Sequence, residues 1–249
     1  PSNASSAAPF AARSASFLLR VPWSSSWFAC STPKRANTSA IPPAAPAGFC
    51  EQGARVLYVC TEELASRARL RAIQAYTNLT QDEVALDIKS AMARYAGIND
   101  RLLYIDAQGW DVSYLSAYIN HISPDIVIID IADKIEVSGK FNAGHERLRE
   151  LYYRLREAAK KFDCAILGLS QASAEAEGKT RITMSMMEGS KTGKAAEADL
   201  MLLIAKNQVT EGDDEDNQRH INVAKNKLKG GWHGVVHCEL DGGRSLYTA

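Results

Sequence analysis

The sequence has no CxxC pair, no apolar run near the roughly 20 residues that cross a membrane, and no excess of charge, with 29 basic side chains against 29 acidic ones. Each absence excludes a class of protein. Five scattered cysteines, Cys30, Cys50, Cys60, Cys164 and Cys238, exclude a disulfide framework and a zinc module and make a reducing compartment the expectation. Apolar runs as short as Ile126 to Ile129 exclude a spanning helix, so a soluble protein is expected. A formal net charge of zero excludes a globally basic nucleic-acid binder but leaves room for a local basic surface.

Residues 1 to 50 lack Asp and Glu, yet hold seven of the eight prolines and four basic residues, Arg13, Arg20, Lys34 and Arg35. This Ser- and Ala-rich composition predicts a disordered low-complexity leader, either transit-peptide-like or foreign to the domain behind it. The remainder, 51 to 249, carries 25 basic against 29 acidic residues and is expected to be the folded domain, roughly 200 residues and long enough for a large core.

Within that body, short apolar runs alternate with helical periodicity. Arg55 to Cys60 reads as a buried strand, followed by a helix from about Glu63 to Tyr76. Thr80 and Glu83 form a capping box that opens a second helix. Leu102 to Ile105, Ile126 to Asp130, Cys164 to Leu169 and Leu200 to Ile204 read as further strands. Between them lie two amphipathic stripes, Val112-Leu115-Ile119-Ile122, stopped by Pro124, and Leu148-Leu151-Tyr152-Leu155-Ala159. Strands joined by helices predict a parallel sheet with crossovers. Ile221 to Ala224, Gly234 to Leu240 and Ser245 to Tyr247 lie too close together for that and predict antiparallel hairpins.

Ligands of parallel sheets gather beyond the carboxyl ends of the strands, and four predicted strands end in polar residues: Thr61-Glu62-Glu63, Asp130, Ser170-Gln171, and Lys225-Asn226-Lys227. Each alone has a plain structural reading as a helix cap, a solvated loop residue or an exposed edge. Together they suit nucleotide hydrolysis. Asp130 holds Mg²⁺ through water, Glu62 takes a proton from an attacking water, Gln171 senses a γ-phosphate, and the lysines neutralise transition-state charge.

The strings VLYVCTEE, DIVIIDIADKI, ILGLSQAS, MEGSKTGKAAEADLMLLIAKN and INVAKNKLKGGWHG resemble the DnaB-type hexameric replicative helicases, especially the helicase half of bacteriophage primase-helicases and their mitochondrial relatives. The resemblance covers about Gln52 to Ala249. It implies an α/β RecA-like P-loop NTPase core, mostly parallel, with C-terminal antiparallel hairpins. In it Glu62 matches the catalytic glutamate, Asp130 the Walker B aspartate, Gln171 the polar sensor and Lys225 the lysine of a lysine-x-arginine strand. Asp199 opens the last core strand. Lys227 stands where the family has an arginine finger that acts on the neighbouring subunit's nucleotide, and lysine lacks the planar fork of arginine.

The resemblance further implies ATP and Mg²⁺ as cofactors, single-stranded DNA as partner, a homo-oligomeric ring, usually a hexamer, and a primase half or partner. It also implies two DNA-facing loops. One, from Asp133 to Gly144, bears Lys134 and Lys140; the other, from Ala172 to Thr183, bears Lys179 and Arg181. The acidic run Glu211 to Asp216 is expected at a solvated hairpin tip facing away from DNA. The expected compartment is the cytoplasm of a bacterial or phage-infected cell, or a mitochondrion or chloroplast if the leader is a transit peptide.

One required part is absent from the sequence: no GxxxxGK[ST] string occurs. GKT at Gly178 to Thr180 has Ser173 in place of the first glycine, and GSKTGKA from Gly189 has one residue too few and Ala195 after Lys194. The first strand and phosphate loop are therefore expected to be missing or replaced, and ATP hydrolysis to be weak. Two other readings stand beside the helicase: a RecA-, RadA- or KaiC-like ATPase, and a non-catalytic ring or DNA-binding subunit.

Overall fold

A computed structural model describes residues 15–18, 44–189, 193–206, 217–228 and 230–248. Nine strands form one sheet in the order β3-β2-β4-β5-β1-β6-β7-β8-β9. They are β1 (Ala15–Leu18), β2 (Val56–Cys60), β3 (Leu102–Asp106), β4 (Ile126–Asp130), β5 (Ala165–Ser170), β6 (Leu200–Lys206), β7 (Gln218–Asn226), β8 (Gly234–Asp241) and β9 (Leu246–Thr248). The helices are α1 (Ala44–Glu51), α2 (Ala65–Thr77), α3 (Gln81–Leu86), α4 (Ile88–Asn99), α5 (Val112–Ile122), α6 (Gly144–Lys161) and α7 (Gly193–Glu197).

β2, β3, β4 and β5 are parallel, and side chains alternate between the two faces of a strand. Leu57, Val59, Val127, Ile129 and Ile166 therefore face one way, against Leu115 and Ile119 of α5 and Leu151, Tyr152 and Leu155 of α6. Val56, Tyr58, Ile126, Ile128 and Leu167 face the other way, against α1, α2 and α4 through Ala47, Ala72, Ile73, Ala91 and Tyr95. Both faces are covered, which is why these strands read as continuous apolar runs. A third small cluster, Ile204, Ile221 and Cys238, underlies the antiparallel extension β6 to β9.

The helix ends follow local chemistry. Thr80 and Glu83 make the predicted capping box, with Thr80 N–H donating to Glu83 Oε2 at 2.7 Å. The helix they open is short, because Asp87 leaves helical geometry and its carboxylate caps a new helix through Ser90 N–H at 3.0 Å. Asp111 caps α5 through Ser113 N–H at 2.7 Å, and Ser123, at φ 50°, ends it before Pro124.

Two parts of the expected leader are among the described residues. α1 occupies 44 to 51 and covers the sheet, and β1 lies inside the sheet, antiparallel to both β5 and β6. The rest of residues 1 to 43, and the acidic run Glu211 to Asp216, lie outside the described residues. β1 opposes two strands that point the same way, so it is the single reversed strand in an otherwise co-directional row from β3 to β6. Composition gave no hint of it, since its four residues carry no periodic signal beyond a short apolar stretch.

Leu151 is fully buried in the α6 stripe. Leu151→Ala should cost about 2–5 kcal/mol, read as a lower urea midpoint with an unchanged m-value.

Candidate active site

Register brings the polar strand ends to one edge. Cys60 pairs with Asp106 on β3 and with Asp130 on β4, and Ile129 pairs with Gly168 on β5. Glu62, Asp130 and Gln171 thus lie at or just past the carboxyl ends of three adjacent strands, β2, β4 and β5. Thr61 stitches the first two together. Its N–H donates to the Asp130 carbonyl at 2.8 Å, its hydroxyl donates to the Ile131 carbonyl at 2.9 Å, and the same oxygen accepts from Ile131 N–H at 2.7 Å. The Asp130-Ile131 peptide is cis.

Asp130 shares a sheet face with Ile126 and Ile128 and so points toward α2. Tyr58, on the same face of β2, donates its hydroxyl to Asp130 Oδ2 at 2.9 Å. Burial pushes the Asp130 carboxyl above its ordinary range, against the lowering effects of the Tyr58 hydroxyl and the Arg71 guanidinium, while Glu63 and Glu62 raise it further. Arg71, on α2, holds Glu63 in a two-bond fork, one bond being Nη1 to Oε1 at 2.7 Å. That pair removes Glu63 from consideration as a base. Glu62 is exposed and has a looser contact, with Lys134 at 3.4 Å.

The glycine at 168 lets the chain after β4 approach. A Cβ there would sit 3.1 Å from Ala132 Cβ, so the turn that follows Asp130 packs directly on β5.

Lys225 and Lys227 lie elsewhere. Lys225 pairs with Met201 and Asn226 with Leu200, at the start of β6, while the start of β7 pairs with the end of β6. Leu200 is level with Leu18 and hence with Leu167, whereas Leu203 is level with Ser170. Met201 is level with Phe17 and hence with Gly168 and Ile129, so Lys225 lies close to the level of Asp130 but three strands away, with β5, β1 and β6 between β4 and β7. At about 4.8 Å per strand, the two lysines do not share a site with Asp130 inside one chain. Lys225 donates to the Ala195 carbonyl; burial draws its ammonium below the ordinary range, and the neighbouring Lys227 adds to this. Asp199, expected at the start of β6, immediately precedes it. Its carboxylate accepts from Arg156 Nη2 at 2.9 Å, and its carbonyl from Lys227 N–H at 2.8 Å.

Lys140, Lys179 and Arg181 are exposed on the loops after β4 and β5, which leave the sheet at the Asp130 end. Both loops are anchored. Ser138 donates from its amide and hydroxyl to Asp111 Oδ2 at 2.8 and 2.7 Å, and Asn222 on β7 donates to the Ile182 carbonyl at 2.8 Å.

The residues suit a magnesium ion held through water. Among the described residues no three His, Cys, Asp or Glu side chains converge as a metal cage, but Mg²⁺ keeps several waters and needs only one or two protein carboxylates. The desolvated Asp130, beside two further carboxylates, meets that need. A triphosphate cradle does not fit the described residues in the same way. β1 starts level with Ser170 and ends level with Leu167, so it runs away from the Asp130 end, and the described residues contain no GxxxxGK[ST] loop there. Lys194, which the sequence offered as a near-match to a phosphate-loop lysine, is fully buried instead.

Residues 48–244 match the DnaB-like helicase C-terminal domain family, and the chain belongs to that family. Among solved structures it is similar to one titled "The Structure Of A DnaB-Like Replicative Helicase And Its Interactions With Primase", with a TM-score of 0.69, 16% identity, and coverage of 82% of this chain and 54% of that one. It is also similar to a second solved structure, an ATPase domain, with a TM-score of 0.67, 16% identity, and coverage of 86% of this chain and 85% of that one. The chain thus spans about half the length of the first of these structures. No curated protein sequence matches it. The α/β RecA-like helicase fold expected from the sequence is the observed one.

Sequence reasoning missed Tyr58 and Arg71, and placed Thr61 at the strand end without a role. Thr61 adjoins the predicted Glu62, but only the β2–β4 register reveals its stitching role.

The raised Asp130 pKa has a stability consequence. The native state holds that proton more tightly than the unfolded chain, so stability is lost as pH rises from near 3.8 through the folded value. Asp130→Asn should therefore be more stable than the natural chain at neutral pH, with the gap closing under acid. Urea titrations across that pH range check it, and a less stable variant at neutral pH would contradict it.

Proposed function

We propose that this chain is the motor domain of a replicative DNA helicase, coupling ATP hydrolysis to travel along single-stranded DNA in a ring of like subunits. The observation that carries the reading is the alignment of Glu62, Asp130 and Gln171 across three adjacent strand ends. Glu62, exposed and only loosely paired, is the base for the attacking water. Asp130 holds the water shell of Mg²⁺, which when bound neutralises phosphate charge. Gln171 hydrogen-bonds the terminal phosphate. Lys225 and Lys227, remote from Asp130 in their own chain, serve the nucleotide of a neighbouring subunit. Lys140, Lys179 and Arg181 contact DNA phosphates without reading sequence. A primase is the further partner proposed, and the cytoplasm the proposed compartment.

A second reading, a ring or DNA-binding subunit that does not hydrolyse ATP, is favoured by the reversed β1 and the absence of GxxxxGK[ST] from the sequence.

ATP hydrolysis by the purified chain, with and without single-stranded DNA, separates the two. The motor reading expects DNA-stimulated turnover that Glu62→Gln lowers by about 10²–10⁴-fold. DNA binding without turnover supports the second reading, and neither activity contradicts both. On the DNA side, replacing Lys179 or Arg181 by Ala should lower the slope of log affinity against log salt by about 0.7 each. Binding titrations at several salt concentrations measure it, and unchanged slopes would remove those residues from the interface.

A further inference from the structure

Lys194 is the only charged side chain among the described residues that is fully buried, and its partners come from three separate segments. Its Nζ donates to Asp133 Oδ2 at 2.6 Å and to Ser170 Oγ at 2.7 Å. Ser170 donates in turn to Asp133 Oδ2 at 2.7 Å, and Tyr152 donates to Asp133 Oδ1 at 2.8 Å. The ammonium also lies 5.6 Å from the centre of the Tyr152 ring. Burial draws the ammonium below its ordinary range and Asp133 pulls it back. The Asp133 backbone is held as well, because Arg147 donates to the carbonyls of Asp133 at 2.8 Å and Ile135 at 3.0 Å.

The placement of these groups matters more than their bonding. Asp133 lies three residues after Asp130, at the root of the loop that bears Lys140. Ser170 immediately precedes Gln171, at the root of the loop that bears Lys179 and Arg181. Lys194 opens α7, just after that second loop has returned to the sheet at the Ala172–Met187 bridge. Ile135 and Val137 after β4, and Ala176, Ile182 and Met187 after β5, all belong to the apolar cluster on the α5 and α6 face of the sheet. One buried ammonium thus joins the bases of both basic loops to the residue beside Gln171.

We propose that Lys194 is a positioning residue that makes the two basic loops and the Gln171 strand end move as one unit. A fully satisfied buried network is rigid, and loss of one member leaves the others with unmet charge. The assignment of DNA to these loops rests on the reading above; the mechanical coupling of the loops does not.

The test is amide hydrogen exchange with parallel single-stranded DNA binding, on the full chain and on Lys194→Met, Lys194→Met/Asp133→Asn and Ser170→Ala. In Lys194→Met, exchange in 133–143 and in 172–188 should rise together, by roughly tenfold, and DNA affinity should fall by a similar factor with an unchanged salt slope. The double variant removes the orphaned carboxylate, so its thermal midpoint should recover while both loops stay fast and affinity stays low. If Lys194→Met fails to fold, Ser170→Ala carries the test, with a smaller rise expected in both loops. Natural exchange in both loops of the stable double variant, or a rise confined to 190–199, would overturn the proposal. A natural chain that binds no DNA contradicts the helicase reading alone, and the exchange pattern then decides the coupling.

Discussion

The site depends on one pairing: β2 beside β4, parallel, with Cys60 opposite Asp130. Side chains alternate along a strand, so a slip of one residue would send Asp130 to the α5 and α6 face and away from Tyr58 and Arg71. Three bonds from Thr61 lock the register where it matters, at the carboxyl ends. Beyond that lock the chain is free to spend its local geometry on chemistry. Glu63 is tied to Arg71, Glu62 is left exposed, and Asp130 is kept dry enough for its charge to be costly in the absence of a cation.

The same topology bears on phosphate binding. Parallel strands deliver their carboxyl ends to one edge, and a phosphate cradle needs a strand that arrives there. β1 fills the gap between β5 and β6 in the opposite sense, so it completes the hydrogen bonding of the sheet, and the described residues at the Asp130 edge are acids, an amide and basic loops. The two lysines of β7 are separated from Asp130 because β5, β1 and β6 lie between β4 and β7.

Much of the fold was legible in the sequence, for identifiable reasons. β4 begins and ends where the apolar run from Ile126 meets Asp130, since a strand buried on both faces has no polar interruptions. The α6 stripe and the Thr80-Glu83 box were equally plain. The break at Asp87 was not, because an aspartate inside an amphipathic stretch acts as a cap only when the backbone around it turns. β1 was hidden in a low-complexity context. Glu62, Asp130 and Gln171 could be named because they end strands. Lys194 was weighed only as part of a failed phosphate motif, since a lysine between small residues gives no sign that it will be buried.

The central claim, that three strand ends form one cation-binding edge, is tested most directly with Mn²⁺ in place of Mg²⁺. Paramagnetic broadening of backbone amide signals should be confined to residues near 60–63, 130–133 and 170–172, and should vanish in Asp130→Asn. Broadening centred on the acidic run from Glu211 to Asp216, or broadening that survives the substitution, would contradict the account.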